Sequence, residues 1–200
     1  MTDDAPTVLV VDDEPAVTEV YATHLRDEYQ VRTAKNGEEA LAEMDEDVSV
    51  VLLDRRMPGM SGDEVLEHIR EEGYEARVAM VTAVDPDFDI IDMGFDDYLV
   101  KPVSRADLYD TVETLLTHAG YDDTMQEYFA LVSKQAVLQS NMSETDLSTN
   151  EEYAELEARI EELNDELDEA TTEFEEDDFA AAFRDIGDDM ELDADINPPN

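Results

Sequence analysis

Short apolar runs separated by helix-like stretches organise the first half of the chain. Val8-Leu9-Val10-Val11, Val50-Val51-Leu52-Leu53, Val78-Ala79-Met80-Val81 and Tyr98-Leu99-Val100 are rich in β-branched residues and do not alternate with polar ones. That is the pattern of strands buried on both faces. The spacing predicts strands at 7–11, 30–34, 48–53, 77–82 and 97–100, and helices at 15–28, 37–46, 63–72, 87–93 and 104–118. Pro15, Ser104 and Ser61-Gly62 mark helix starts, and Gly59, Gly73 and Gly94 mark turns. Strand–helix alternation repeated five times argues an α/β fold with a parallel sheet and helices on both faces.

The pattern changes after Gly120. A helix fits 122–139, with Met125, Phe129, Val132 and Ala136 on one face. Residues 140–150 form a polar connection, and Thr149 with Glu152 fits a capping box. Tyr153, Leu156, Ile160, Leu163, Leu167, Ala170 and Phe174 then recur at spacings of 3 and 4, a heptad seam on a long helix. Two arrangements remain open: a hairpin that packs this seam on 122–139, or a homodimeric coiled coil. Phe179 to Phe183 with Ile186 suits a short amphipathic turn, and 188–200 has the composition of a disordered acidic tail.

Charge changes the picture most. The chain carries 56 acidic and 12 basic side chains, a formal net charge of −44. The excess covers both halves: 30 acids against 9 bases in 1–120, and 26 against 3 in 121–200. Lysine is confined to Lys35, Lys101 and Lys134. In dilute buffer such self-repulsion opposes compaction, whereas at 1 M salt the Debye length falls to about 3 Å. The composition therefore fits a salt-saturated cytoplasm, as in extreme halophiles. Cysteine is absent, which excludes disulfides, thiolate metal sites and cysteine nucleophiles. No apolar stretch approaches the ~20 residues of a membrane span, and the N-terminus does not read as a signal peptide. The expectation is a cytoplasmic protein without membrane contact.

The candidate chemistry lies where the strands end. In a parallel sheet the carboxyl ends share one edge, and ligands bind there. Asp12 and Asp13 follow the first run, Asp54 the third, Thr82 ends the fourth, and Lys101 follows the fifth. Three carboxylates, one hydroxyl and one ammonium would converge. A carboxylate can attack a phosphoryl group if a metal and a cation neutralise charge on the transferring oxygens. On this reading Asp54 is the phosphoacceptor. Asp13 and Asp54 ligate Mg2+ directly, Asp12 does so through water, and the main-chain carbonyl of Arg56 adds a contact. Lys101 and Thr82 contact phosphoryl oxygens.

These residues stand in four motifs: Val10-Val11-Asp12-Asp13-Glu14-Pro15, Leu53 to Gly62 around Asp54, Val81-Thr82-Ala83, and Gly94 to Val103 around Lys101. In this order and at these separations they resemble the receiver domain of two-component response regulators over residues 7–118. The resemblance implies a flavodoxin-like sheet of order 2-1-3-4-5, a histidine kinase as phosphoryl donor, a magnesium requirement and a cis Lys101-Pro102 bond. It also implies a switch in which Thr82 follows the phosphoryl group and Tyr98 turns inward. Phe95, where the family more often has alanine, departs from the pattern and bears on packing beneath the loop. A haloacid-dehalogenase-like phosphatase would need a second Asp two residues after the nucleophile, where Arg56 stands. The protein is thus not expected to be an enzyme beyond its own phosphotransfer and dephosphorylation.

Residues 121–190 resemble the HalX domain, which follows receivers in halophilic archaea. The resemblance rests on acidic helices, position and the stretch Tyr128 to Lys134. The expected organisation is a receiver at 1–120, a helical HalX-like domain at 121–187 and the tail at 188–200. The expected function is that of a response regulator passing a signal from Asp54 to a helical output module in transcriptional regulation. The alternative is a phospho-controlled interaction or dimerisation module without DNA binding. Lys134, Arg159 and Arg184 are the cations available there, and a nucleic-acid module normally clusters many more. The expected partners are a cognate histidine kinase and, in the coiled-coil arrangement, a second copy, with DNA left open.

Overall fold

The computed structural model describes residues 5–173, with side chains through 167. Five parallel strands, β1 (Thr7–Val11), β2 (Gln30–Ala34), β3 (Val48–Leu53), β4 (Arg77–Thr82) and β5 (Asp97–Val100), form one sheet of order β2-β1-β3-β4-β5. The expected fold class and strand spans are met. β1 and β3 in the middle are buried along nearly their whole length, which is why their sequences lack alternation.

Two helices cover one face: α1 (Pro15–Leu25) and α4 (Arg105–His118). Between them and the sheet lie Val8, Val10, Tyr21, Leu25, Val50, Leu52, Leu108, Val112 and Leu115. The other face carries α2 (Gly37–Glu43) and α3 (Gly62–Glu71). Ser61 and Ser104 start α3 and α4 as expected, and they close capping boxes with Glu64 and Asp107.

The helix expected over 87–93 is only a 3-10 turn, Phe88–Ile90. Asp87 caps its first amide, and Gly94 follows closely. Between this cap and Gly94 the chain completes only a single 3-10 turn. The second face is therefore left short of a helix beside β4 and β5. The space is filled from the second half of the chain, by α5 (Asp123–Asn141), α6 (Glu144–Thr149) and α7 (Glu151–Glu173). Leu138, Leu147, Tyr153 and Leu156 belong to the same apolar core as Val51, Met80, Ile90 and Tyr98.

The seam on α7 packs within the chain. Tyr153, Leu156 and Leu163 are buried, and α5 and α7 lie against each other, so the hairpin arrangement is the one formed. Three expectations need correction. The face foreseen on α5 does not lead inward: Ala136 is exposed, and Lys134 and Leu138 are the buried residues. The helix is wedged between the sheet and α7, so it buries two sides rather than one stripe. Thr149 ends α6 and does not cap α7; the Asn150 side chain accepts the Tyr153 N–H at 2.7 Å. The polar connection contains α6, capped by Ser143. Phe174, the Ala170 side chain, the turn expected at 179–186, Arg184 and the tail at 188–200 lie outside the described residues.

Candidate functional site

Register aligns the carboxyl ends of four strands. Val11 pairs with Leu53, Leu53 with Met80, and Thr82 with Val100. The residues that follow are tied down by main-chain bonds. Asp54 N–H donates to Val11 O (2.9 Å), Asp12 N–H to Ala34 O (3.1 Å), and Lys101 N–H to Thr82 O (2.8 Å). The Lys101-Pro102 bond is cis, as expected.

At this edge Lys101 Nζ donates to Asp12 Oδ2 at 2.6 Å and to Asp54 Oδ1 at 3.0 Å. Both carboxylates are buried and the ammonium is half-buried. Burial opposes the Lys101 charge, but Asp12 and Asp54 outweigh it and hold the ammonium above the ordinary lysine value. Burial pushes the Asp54 carboxyl up; Lys101 partly offsets this, and Asp12 adds to it. Tyr21 of α1 is close enough to feel all three charges, and burial raises its phenol. The main-chain N–H of Arg56 acts with Lys101 to favour the Asp54 carboxylate. Asp13 is half-buried at the same strand end and makes no hydrogen bond or ion pair among the described residues.

The structure therefore brings Asp12, Asp54 and Lys101 together. Among the described residues no three acidic or histidine side chains close on one point. The donor set nonetheless suits magnesium. Its atoms are hard carboxylate oxygens, and Asp12 and Asp54 already share one cation, whereas Mg2+ usually takes only one or two protein carboxylates and completes its shell with water and substrate oxygens.

Thr82 is fully buried, and its Oγ1 accepts the Val84 N–H at 3.2 Å. Tyr98 is buried as well and already faces inward; its hydroxyl donates to Val84 O at 2.8 Å. Thr82 and Tyr98 thus hold the same short loop, one at its amide and one at its carbonyl. Burial raises the Tyr98 phenol, and neighbouring Arg55 partly reverses this.

One contributor, Arg55, was not singled out by the sequence, and another, Gly62, was read only as a helix start. Arg55, next to Asp54, is nearly buried. It donates to both Asp63 oxygens (3.0 and 3.2 Å) and to Asp89 in the 3-10 turn. Its position beside Asp54 is the only sequence signal for it. Gly62 donates its N–H to Arg55 O at 2.8 Å, which brings the start of α3 against the Asp54 backbone. A cavity of ≈ 660 Å³ opens beside these residues, lined by Arg55, Arg56, Ser61, Asp63, Val84 and Asp89.

A family model of the response regulator receiver domain matches residues 8–113, more than half of the chain. The chain belongs to the response regulator receiver family. A HalX domain model matches residues 117–183, part of which lies outside the described residues. A Haloferax volcanii protein described as a candidate transcriptional regulator is 50% identical over 155 residues, covering 77% of this chain and 26% of that protein. Sensory transduction protein RegX3 of Mycobacterium tuberculosis is 37% identical over 122 residues, covering 58% of this chain and 53% of RegX3. The chain thus spans about a quarter of the first relative and about half of the second.

Among solved structures, a CheY-like receiver domain from Methanospirillum hungatei matches with TM-score 0.55 and 26% identity, over 58% of this chain and 97% of that one. The BeF3-activated DrrB receiver domain matches with TM-score 0.53 and 28% identity, over 56% of this chain and 98% of that one. Both likenesses cover the receiver half of the chain. Among the described residues no helix is long and apolar enough to cross a membrane.

Proposed function

We propose that this receiver accepts a phosphoryl group on Asp54 from the phosphohistidine of a histidine kinase and passes the resulting change to its HalX helices. The observation that carries the reading is the bracketing of Lys101 Nζ by Asp12 and Asp54 at the strand ends. An Asp54 oxygen attacks phosphorus; a P–O bond forms as the P–N bond to the donor imidazole breaks, and the imidazole leaves with the bonding pair and takes up a proton. Lys101 is placed to pair with a transferring oxygen once it yields the Asp54 contact. Asp12, which also accepts from Lys101 Nζ, keeps the cation at the strand ends as it does so. Asp12, Asp13, Asp54 and the Arg56 carbonyl would hold Mg2+, which supplies charge neutralisation on the phosphoryl oxygens. The chain itself is no enzyme on this reading; it catalyses only its own phosphorylation and dephosphorylation.

The output is proposed to be transcriptional regulation, as the descriptions of the relatives suggest. One observation favours an output through protein contacts rather than through direct DNA contact. Lys134 is buried, and Arg159 is engaged by Glu127 and Glu162, so both described cations of the HalX helices are occupied. Phosphate contacts would also weaken steeply at high salt.

Incubation with acetyl phosphate and Mg2+ at molar salt tests the reading. Mass spectrometry is expected to find one phosphoryl group on Asp54 in the wild type and none in Asp54→Asn. A folded wild type that stays unlabelled overturns it.

A further inference from the structure

Lys134 is the one lysine of the appended helices, and it does not face water. On α5, its Nζ donates to Ile91 O at 2.8 Å and to Met93 O at 2.5 Å, and it lies 5.1 Å from the centroid of the Phe95 ring. The Phe95 ring in turn meets Tyr98 at a centroid distance of 5.6 Å. A buried ammonium is costly unless it is paired or fully hydrogen-bonded. Here the partners are two free carbonyls at the end of the 3-10 turn and an aromatic face. The same segment is gripped at its other side by Arg55, through Asp89. Residues 88–93 are therefore held between two cations, one adjacent to the phosphoacceptor and one belonging to the HalX hairpin.

From this arrangement we infer that Lys134 is a positioning residue that couples the HalX hairpin to the Asp54 site, with residues 88–93 as the shared element. The inference rests on the phosphoacceptor reading only for its trigger. When Asp54 is modified, Arg55 at its side and Tyr98 beneath it shift the 88–93 segment, and Lys134 transmits that shift to α5. By linkage the reverse also holds: a change at Lys134 alters the 88–93 segment in unmodified protein. Other polar contacts at the junction, Ser133 Oγ to Asp97 (2.6 Å) and Arg77 to Gln126, reach the start of β5 and of β4 and do not touch this segment. Phe95 gains a role here as the platform between the lysine and the switch tyrosine.

The test is hydrogen exchange of the full chain at molar salt, with and without acetyl phosphate and Mg2+, in the wild type and in Lys134→Met, which keeps an apolar stem of similar length. In unmodified Lys134→Met, exchange at 88–93 is expected to rise about tenfold while β1 and β3 stay protected. On phosphorylation, both 88–93 and α5 are expected to change in the wild type. In Lys134→Met, Asp54 is labelled to the wild-type extent and 88–93 responds, but α5 does not. An α5 response equal to that of the wild type, or unaltered exchange at 88–93 in the unmodified variant, overturns the inference. If Asp54 of the wild type takes no label, the phosphoacceptor reading falls alone, and the unmodified comparison still decides the role of Lys134. Should Lys134→Met not fold, the 15N signal of the wild-type Lys134 ammonium serves instead. It is expected to shift on phosphorylation, and an unmoved signal overturns the coupling.

Discussion

Gly62 stands so close to Asp54 that a β-carbon built on it would lie 2.2 Å from the Asp54 carbonyl oxygen. The Arg55 α-carbon would be 2.9 Å away. The obstacle is backbone at both contacts, so no side-chain rotation relieves it. Gly62 is thus the position that lets α3 begin against the Asp54 loop.

Gly62→Ala is accordingly expected to push the 54–56 backbone away from the edge and to destabilise the fold by about 1–3 kcal/mol, the usual cost of overpacking. Urea unfolding at fixed salt measures the loss. Labelling by acetyl phosphate should slow in the fraction that remains folded, because Asp54 moves relative to Lys101. Gly59, with φ +83° and nothing near a built β-carbon, should tolerate alanine sterically and lose only the cost of its left-handed conformation.

Lys101→Met removes the cation that Asp12 and Asp54 share, leaving two buried carboxylates unpaired. Breaking a buried pair from one side costs about 3–5 kcal/mol. Asp54→Asn removes one negative charge from the same cluster and should cost clearly less. Denaturant midpoints of the two variants at the same salt concentration should separate in that order, although both are expected to lose labelling by acetyl phosphate.

Lys134 gives stability an unusual dependence on pH. Burial lowers its pKa from 10.5 to about 8; Asp96 and Asp92 support the charge and Arg70 opposes it. Below pH 8 folded and unfolded chains both carry the proton, and the cost of burying the ammonium is fully present. Between pH 8 and 10.5 the unfolded chain binds the proton more tightly, so stability rises with pH, by a total of about 3 kcal/mol. Tyr21, Tyr29 and Tyr98, whose pKa values burial raises, act in the opposite sense only near pH 10 and above. Thermal melts from pH 7.5 to 9.5 should show the rise in the wild type and a flat profile in Lys134→Met.

With 56 acids against 12 bases, most carboxylates have no cationic partner to meet. Stability should therefore increase steeply with potassium chloride between about 0.1 and 1 M, the range over which the Debye length falls from about 10 to 3 Å. Melting curves across that series test the reading. A midpoint independent of salt would show that the repulsion is not what limits the fold.

The sheet and its edge were legible because strands buried on both faces must be apolar along their length, and because each site residue immediately follows or ends such a run. Asp12, Asp54, Thr82 and Lys101 advertise themselves by position. The HalX docking did not. A lysine in an acidic helix reads as solvated charge, and only the three-dimensional placement of Ile91 and Met93 shows why Lys134 turns inward. Arg55 was hidden for the same reason, since Asp89 lies 34 residues away on a turn that the pattern presented as a helix. The register of α5 was missed because a helix that packs on two sides has no single apolar stripe.

Leu138, Tyr153 and Leu156 share their core with Met80, Ile90 and Tyr98. The boundary seen in the sequence near residue 120 is therefore not a seam in the folded molecule. A fragment cut there would bare a contiguous oily face beside β4 and β5 and is expected to stick to itself, which light scattering at molar salt would reveal. Any exchange of output modules between such proteins would have to carry the hairpin along with the receiver whose wall it completes.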